Sequence, residues 1–264
     1  MNAPSNEPVL LRCDHGRVAI LTLNRPHAMN ALSGELIDAL QAEFDKLAKD
    51  GTIRCVVIEA NGRAFSSGHD LREVRSTDDY AFHFDLMSRC SAMMLTIRRL
   101  PQPVIAKVHA IATAAGCQLV AACDLAVASS EARFATPGVN IGLFCGTPSV
   151  PLGRNVGPKR ALDMLLTGEP IDAETALRDG LVSRVVPPAE LDRATMEFAD
   201  TIASKSPLVL AQGKALFHKH MEMDLDQAYA YATAYMAGAV SREDAKLGID
   251  AFVNKRGLPE WTGR

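Results

Sequence analysis

Two short stretches of small residues carry backbone amide groups that could bind a negatively charged oxygen. They read AFSSGHDL (64–71) and IATAAGCQL (111–119). Each follows an apolar run; the first reads as a loop, and the second should enter a helix, whose first backbone N–H groups have no partner within the helix. The positive end of the helix dipole and the small side chains would let an anion approach such amides. If the two stretches met in space they could form an oxyanion hole; close backbone packing is the alternative reason for residues this small.

Alternating strands and helices must position these stretches. Strand patterns occur at 9–26, 53–60, 103–108 and 125–129. Helical spacing occurs at 33–51, at 78–100 and from about residue 115. In the first helix, Ser33 is the expected N-cap and Gly51 the expected end. Because helical spacing continues from about residue 190, we predict an α/β fold with a core at 1–190 and a helical C-terminal region at 191–264.

Composition argues against several classes of partner and cofactor. The 264 residues are 48% hydrophobic and 22% charged, with a net charge of −3, so no basic surplus favours nucleic acid. No apolar run reaches the ~18 residues of a membrane span. The six cysteines form no Cys-x-x-Cys pair and the histidines lack metal-ligand spacing, so no metal site is expected. The first residues show neither a signal peptide nor an Arg-rich presequence, which predicts a cytoplasmic protein.

Four segments, taken together, resemble the crotonase superfamily of enoyl-CoA hydratases and isomerases. They are AFSSGHDLREV (64–74), PVIAKVHAIATAAGCQLVAACDLAVAS (103–129), FATPGVNIGL (134–143) and LLTGEPIDAETALRDGLVSRVVP (165–187). The resemblance extends over roughly residues 9–255 of the chain. Within the superfamily, the stretch FSSGHDL and the region that begins at CQL are similar to the enoyl-CoA hydratase domain-containing protein 3 group.

This resemblance implies a ββα spiral core with a helical C-terminal region, assembled as a homotrimer or a dimer of trimers. Members bind acyl-CoA thioesters and stabilise a thioester enolate with two backbone N–H groups, which correspond here to those of His69 and Ala115. The substrate-binding positions that it implies are His27, Ala28, Met29, Ser67, Asp70, Leu71, Arg72 and Cys145. Among these, the cationic Arg72 suits a coenzyme A phosphate.

The two glutamates that enoyl-CoA hydratases of this family use are replaced. One activates water and the other handles the proton at the α-carbon, and the corresponding positions hold Gln118 and Gly138. Glutamine is not a base and glycine has no side chain, so neither residue can do this work. We expect Gln118 to face the acyl end of the pocket, with a backbone cap or an interface contact as the alternative. Gly138 could leave room for a bulkier acyl group, a water molecule or an anion.

Two other side chains have more than one possible role. The His69 imidazole could point along the pocket, or it could donate to a carbonyl group and hold its loop. Cys145 could be a nucleophile, but no partnered base is identifiable, and a small, partly buried thiol is the favoured alternative.

The resemblance therefore predicts an enzyme of the enoyl-CoA hydratase/isomerase family for which efficient hydration of a simple enoyl-CoA is not expected. Decarboxylation, isomerisation or hydrolysis of an acyl-CoA thioester are the alternative reactions. An acyl-CoA-binding protein without catalysis is the alternative from a different class. No redox or metal cofactor is implied, because coenzyme A enters as part of the substrate.

Overall fold

The computed structural model describes residues 7–264, which alternate between strands and helices. The strands are β1 Leu10–His15, β2 Val18–Leu23, β3 Cys55–Ala60, β4 Ala64–Ser66, β5 Val104–Val108, β6 Ile111–Thr113, β7 Leu125–Ser129, β8 Arg133–Ala135, β9 Ile171–Asp172 and β10 Arg184–Val186. The helices are α1 Gly34–Leu47, α2 Leu71–Val74, α3 Tyr80–Arg99, α4 Ala115–Ala122, α5 Gly146–Asn155, α6 Pro158–Thr167, α7 Ala173–Arg178, α8 Leu191–Ala203, α9 Pro207–His220, α10 Leu225–Ala239 and α11 Glu243–Val253. Single 3-10 turns occur at Pro26–Ala28, Pro137–Ile141 and Pro188–Glu190.

Successive strands of the core belong to two different sheets. The larger sheet has the order β1-β2-β3-β5-β7-β10, and the smaller has the order β4-β6-β8-β9. The pairs β3–β4, β5–β6 and β7–β8 each place one strand in the larger sheet and the next in the smaller, and a helix follows each pair. From β2 onwards the neighbours in the larger sheet run parallel, which long crossover connections permit. This repeated ββα arrangement, followed by C-terminal helices, confirms the predicted fold class.

Helix α1 begins where its cap was predicted and ends before its predicted stop. The Ser33 hydroxyl accepts a hydrogen bond from the Leu36 amide at 3.3 Å, as an N-cap should. The helix ends at Leu47 and not at Gly51. After Leu47 the Lys49 and Asp50 amides donate to carbonyls three residues back, at 3.1 and 3.0 Å, so tighter turns replace the helix before Gly51.

The strands of the smaller sheet lie in segments for which the sequence pattern predicts no strand. Strands β4 and β6 have three residues each. A pattern of alternating polar and apolar residues needs about four to eight residues to be recognised, so strands this short leave no signal. They are nevertheless part of the core, because Phe65 in β4 and Ala112 in β6 are completely buried.

The helices after residue 190 pack on the core in two ways. Helix α8 covers one face of the larger sheet, where Leu191 and Ala199 share a buried cluster with Val57. Helix α9 is held by Lys214, whose Nζ donates a hydrogen bond to Asp124 Oδ2 at 2.6 Å. Because breaking a buried ion pair leaves an uncompensated charge, this contact fixes the position of α9 on the core.

Candidate active site

The candidate site lies at one edge of the smaller sheet. Strands β4, β6 and β8 are neighbours in that sheet and run parallel. The carboxyl ends of parallel strands lie at the same edge, which is where open α/β sheets bind ligands. The loop after β4 carries His69, the helix after β6 carries Ala115 and Gln118, and the turn after β8 carries Gly138. The fold therefore brings together the four positions for which the sequence predicted catalytic roles.

The two small-residue stretches are in direct contact. A Cβ atom placed on Gly68 would lie 2.8 Å from Ala114 Cβ and 3.2 Å from the Ala115 nitrogen. A Cβ atom on Gly116 would overlap the Ser66 carbonyl. Gly68 also has a φ of +95°, which side chains disfavour. The glycines are therefore needed for the close approach of the backbones.

Hydrogen bonds to Leu32 hold the backbone just before and just after the His69 amide. The Leu32 amide donates to the Gly68 carbonyl at 2.7 Å, and the Asp70 amide donates to the Leu32 carbonyl at 3.3 Å. In a parallel bridge of this kind, the N–H of the middle residue points away from the partner segment. Among residues 7–264, no group accepts a hydrogen bond from the His69 N–H. This amide is therefore free to bind a ligand.

The Ala115 amide is also unpartnered and is held by a strained residue. Ala115 is the first residue of α4, where an N–H has no acceptor within the helix, and none is found elsewhere in the described chain. The preceding Ala114 has φ +50° and ψ −119°, a conformation rare for a residue with a side chain. Its amide donates to the Ala135 carbonyl at 2.9 Å. Strand β8 therefore helps to orient the peptide that carries the Ala115 N–H.

Gln118 is the polar residue of a helix that is otherwise small and apolar. Its side chain is almost completely buried, at 3% exposure, and its Oε1 has no hydrogen-bond partner among residues 7–264. Gln118 lies three residues after Ala115 and so shares a face of α4 with it. The expected alternative, in which Oε1 accepts from a backbone amide as a cap, is not formed within the described residues.

Thr136 is a buried polar residue that the sequence analysis did not single out. It is completely buried, and its Oγ1 has no hydrogen-bond partner in residues 7–264. It follows Ala135 directly, whose carbonyl accepts from the Ala114 amide, so it lies beside the turn into α4. The sequence feature that could have pointed to Thr136 is its position immediately before Pro137 and Gly138 in the stretch FATPG.

The space at Gly138 is filled by protein. Its amide donates a hydrogen bond to Cys145 Sγ at 3.3 Å. A Cβ atom at position 138 would lie 2.6 Å from the Leu143 carbonyl oxygen and 2.8 Å from Cys145 Sγ. The room that the sequence analysis suggested for a bulkier acyl group, water or anion is thus taken up by these two residues. Burial raises the pKa of the Cys145 thiol, which argues against a thiolate nucleophile.

The His69 side chain is a neutral imidazole at pH 7. Burial lowers its pKa below the ordinary value of 6.5, and the Leu32 backbone and Glu73 offset this effect only in part. Neither ring nitrogen makes a hydrogen bond with a described residue, although both are buried. The Leu32 backbone is close enough to weaken the pKa shift but lacks hydrogen-bond geometry. The ring is therefore not tied to a carbonyl group within its loop.

The remaining predicted substrate positions surround the His69 loop. Residues 27–29 follow β2, and the Met29 carbonyl accepts a hydrogen bond from the Ser67 amide at 3.0 Å. Leu71 and Arg72 lie on α2 and are exposed. Asp70 caps α2, accepting from the Arg72 amide at 3.1 Å, and is partly buried.

Two kinds of feature are not found in residues 7–264. They contain no group of three or more His, Cys, Asp or Glu side chains arranged to hold a metal ion. Their helices are all too short or too polar to cross a membrane.

Named proteins from other organisms are similar in sequence to nearly the whole chain. A mouse protein, "Enoyl-CoA hydratase domain-containing protein 3, mitochondrial", is 46% identical over 242 residues, which is 92% of this chain and 80% of that protein. The group suggested by the sequence motifs is thus confirmed as the one this chain resembles.

The prediction of a cytoplasmic protein is contradicted by these relatives. Five vertebrate proteins of this description, 42–47% identical to the chain, are all named as mitochondrial. The prediction rested on the lack of a recognisable signal peptide or Arg-rich presequence in the first residues, and the names of these relatives overturn it.

Solved structures and a family model agree with this resemblance. An enoyl-CoA hydratase from Mycobacterium smegmatis has a TM-score of 0.94 at 50% identity and covers 97% of this chain and 99% of its own. The human enoyl Coenzyme A hydratase domain-containing protein 3 has a TM-score of 0.93 at 44% identity and covers 95% of this chain and 99% of its own. The model described as enoyl-CoA hydratase/isomerase matches residues 14–264. The chain is therefore a member of the enoyl-CoA hydratase/isomerase family of the crotonase superfamily.

Proposed function

We propose that this enzyme binds an acyl-CoA thioester and stabilises its enolate with the backbone N–H groups of His69 and Ala115. One observation carries the proposal: both amides lack an acceptor in the described chain, and the segments that hold them touch at Gly68 and Ala114. Two donors aimed at one thioester oxygen would stabilise the negative charge that develops there. In measured cases, removal of one such donor costs about 2.7–4 kcal/mol of transition-state stabilisation.

Efficient hydration of a simple enoyl-CoA is not part of this proposal. Addition of water needs groups that exchange protons near neutral pH. Gln118 cannot do so, and position 138 offers neither a side chain nor space for one, because Leu143 and Cys145 fill it. The chemistry is therefore expected to depend on charge stabilisation more than on a carboxylate base.

Decarboxylation is the reaction that fits this site best. Loss of carbon dioxide from a malonyl-type thioester leaves an enolate without removal of a proton by a base. The neutral, unpartnered His69 imidazole supports this reading, since a neutral ring would not hold the departing carboxylate as an ion pair. Isomerisation, thioester hydrolysis and binding without turnover are the competing outcomes.

The coenzyme A part of the substrate is proposed to lie along the residues around the His69 loop. A hydrogen bond from the Ser67 amide to the Met29 carbonyl joins this loop to the turn that holds His27 and Ala28. The exposed Arg72 could meet a phosphate group as a cation. Cys145 and Gly138 would border the acyl end.

We also propose assembly as a homotrimer or a dimer of trimers. Large apolar side chains are exposed on the C-terminal helices, where they have no partner within the described chain. They include Leu225, Tyr229, Met236, Phe252 and Val253. Apolar surface on this scale is typical of a face covered by another protein chain.

The first experiment is hydration of crotonyl-CoA by the purified protein, followed by loss of enoyl absorbance with the product checked by mass. A panel of acyl-CoA thioesters, including malonyl-type ones, is assayed in parallel for carbon dioxide release. We expect background hydration and retained binding of the thioesters. Hydration at the rate of a two-glutamate hydratase would contradict the assignment of Gln118 and Gly138, and absence of thioester binding would contradict the proposed function.

A further inference from the structure

A largely buried ion pair between Arg25 and Asp70 lies beside the His69 amide. Arg25 Nη2 donates to Asp70 Oδ2 at 2.9 Å, and Arg25 Nη1 donates to the Ala31 carbonyl at 2.5 Å. The two side chains retain only 14% and 16% exposure. A guanidinium group can make both contacts at once because its donors form a rigid planar fork.

Arg25 is itself fixed by the turn after β2. Its amide donates to Asn30 Oδ1 at 2.8 Å, and the Asn30 amide donates back to the Arg25 carbonyl at 2.9 Å. The Asn30 side-chain amide in turn donates to the Asn61 and Ala64 carbonyls at 2.7 and 2.9 Å. The guanidinium therefore projects from a closed, anchored segment.

The two groups that Arg25 holds stand on opposite sides of the bridge that orients the His69 amide. Ala31 directly precedes Leu32, and Asp70 directly follows His69. The bond from the Asp70 amide to the Leu32 carbonyl is long, at 3.3 Å, and is the weaker half of that bridge. We infer that Arg25 is a positioning residue, which clamps Ala31 to Asp70 and so aims the His69 N–H at the thioester oxygen.

The Asp70 carboxylate has two separable contacts. Its Oδ1 caps α2 through the Arg72 amide, and its Oδ2 pairs with Arg25. Burial raises the pKa of Asp70, but Arg25 and the α2 amides together lower it, so that the carboxylate is ionised at neutral pH. Asparagine caps helices about as well as aspartate, so Asp70→Asn removes the charge of the pair while keeping the cap.

This inference rests on the proposed function, and its test measures the oxyanion hole directly. Acetoacetyl-CoA loses a proton from its α-carbon to the buffer, and the resulting enolate absorbs in the near ultraviolet where the keto form does not. An oxyanion hole lowers the pH at which the bound thioester ionises. We would titrate this band in the wild type, Arg25→Met, Arg25→Lys and Asp70→Asn, with affinity for free coenzyme A measured alongside.

Arg160→Met is the matched control. Arg160 also pairs with two carboxylates, those of Asp163 and Asp179, but neither carboxylate belongs to the His69 loop or to its bridge with Leu32. Thermal unfolding of every variant shows that the compared proteins are folded. If Arg25→Met does not fold, Arg25→Lys and Asp70→Asn still decide the question.

We expect Arg25→Met to weaken enolate stabilisation by about tenfold to a hundredfold, as found when a catalytic group is displaced by a small distance. Affinity for coenzyme A and the Arg160→Met control should not change. Arg25→Lys should also be impaired, because a lysine cannot hold Ala31 and Asp70 together, and Asp70→Asn should be intermediate.

Two results would overturn the inference. Wild-type enolate ionisation in Arg25→Lys would show that charge alone suffices, and wild-type ionisation in folded Arg25→Met and Asp70→Asn would show that the clamp does not aim the amide. A wild-type protein that binds acetoacetyl-CoA without shifting its ionisation would instead refute the proposed function, and the inference with it.

Discussion

At the scale of single residues, Gly138 and Cys145 act as one unit. The thiol accepts a hydrogen bond from the Gly138 amide and occupies the space that a side chain at 138 would need. The absence of a side chain at position 138 has therefore not left a cavity. A substitution at this position should be costly, because the Leu143 carbonyl that a Cβ would approach is backbone and cannot rotate away.

We predict that Gly138→Ala lowers the free energy of unfolding by about 1–3 kcal/mol, as overpacking does in other cores. The matched control is Gly153→Ala on α5, where an added Cβ meets nothing within 4 Å. That control should be stabilised by about 0.4–1 kcal/mol, because alanine reduces the entropy of the unfolded chain. Urea unfolding measures both. Equal stability of the two variants would show that the contact between Gly138 and Cys145 is loose.

His69 provides a prediction about pH. Its pKa in the folded state lies below 6.5. As the pH falls below 6.5, the unfolded chain therefore binds a proton at this imidazole before the folded chain does. Stability is therefore fully present above about pH 6.5 and is lost progressively as the pH falls toward the folded pKa. His69→Gln should lose less stability than the wild type between pH 7.5 and 5.5.

Unfolding free energies from urea at these two pH values test this prediction. His15→Gln is the control, because His15 is exposed at the end of β1. An identical loss of stability in the wild type and His69→Gln would mean that the imidazole is hydrated in the folded protein.

At the scale of secondary structure, the site is made by strands of three residues and by the loop, helix and turn at their carboxyl ends. Parallel pairing sets the ends of β4, β6 and β8 side by side, which is how loops separated by about forty residues come to touch. Other elements depend on similar tertiary ties. One set of hydrogen bonds of this kind joins the end of the chain to helix α11.

Asp244, in the first turn of α11, holds this end of the chain. Its buried carboxylate accepts hydrogen bonds from Ser206 Oγ at 2.5 Å, from the Thr262 amide at 2.7 Å and from the Gly263 amide at 3.1 Å. Trp261 adds a bond from its Nε1 to the Ser204 carbonyl at 2.7 Å. The last residues therefore join α11 to the start of α9.

We predict that Asp244→Ala lowers the free energy of unfolding by about 2–4 kcal/mol, because charged hydrogen bonds contribute about 1.5–3 kcal/mol each and buried donors lose their acceptor. Asp250→Ala, at an exposed position of the same helix, is the control. Hydrogen exchange of residues 257–264 should become faster in the first variant only. Unchanged exchange there would show that Trp261 and the bond from the Asp244 amide to the Arg264 carbonyl hold the chain end without the carboxylate.

At the scale of the whole molecule, the exposed apolar residues of α10 and α11 are the main unexplained surface. Phe252 is 85% exposed and Val253 is 70% exposed. Their exposure in a single chain is unfavourable, since each buried Phe or Val side chain contributes about 1.5–3 kcal/mol. Association with further copies of the chain would remove this surface from water.

We predict that the protein sediments as a trimer or a hexamer at micromolar concentration. Phe252→Glu should shift the distribution towards smaller species, because a charge in an apolar interface is costly to desolvate. Lys246→Glu on the same helix is the control, since Lys246 is already exposed and charged. Light scattering after size exclusion measures the mass. A monomeric wild type would refute the proposed assembly.

The sequence by itself determined much of this protein. Continuous apolar runs predicted the long strands of the larger sheet, because parallel strands are buried on both faces, and helical spacing predicted α1, α3 and the C-terminal helices. The motifs around His69 and Ala115 were enough to identify the family. The resemblance also led to the prediction that Gln118 and Gly138 stand where hydratases of the family carry glutamates.

Only the tertiary structure decided the rest, because it depends on contacts between distant residues. The strands of the smaller sheet are too short to leave a pattern, and they acquire their structure from pairing with one another. Thr136 is buried where β8 ends beside β6, and the space at Gly138 is closed because Leu143 and Cys145 fold back onto it. The direction of the His69 amide results from its bridge to Leu32, thirty-seven residues earlier in the chain. A backbone N–H is common to nearly every residue, so its availability for catalysis is decided by its neighbours in space and not by the residue type.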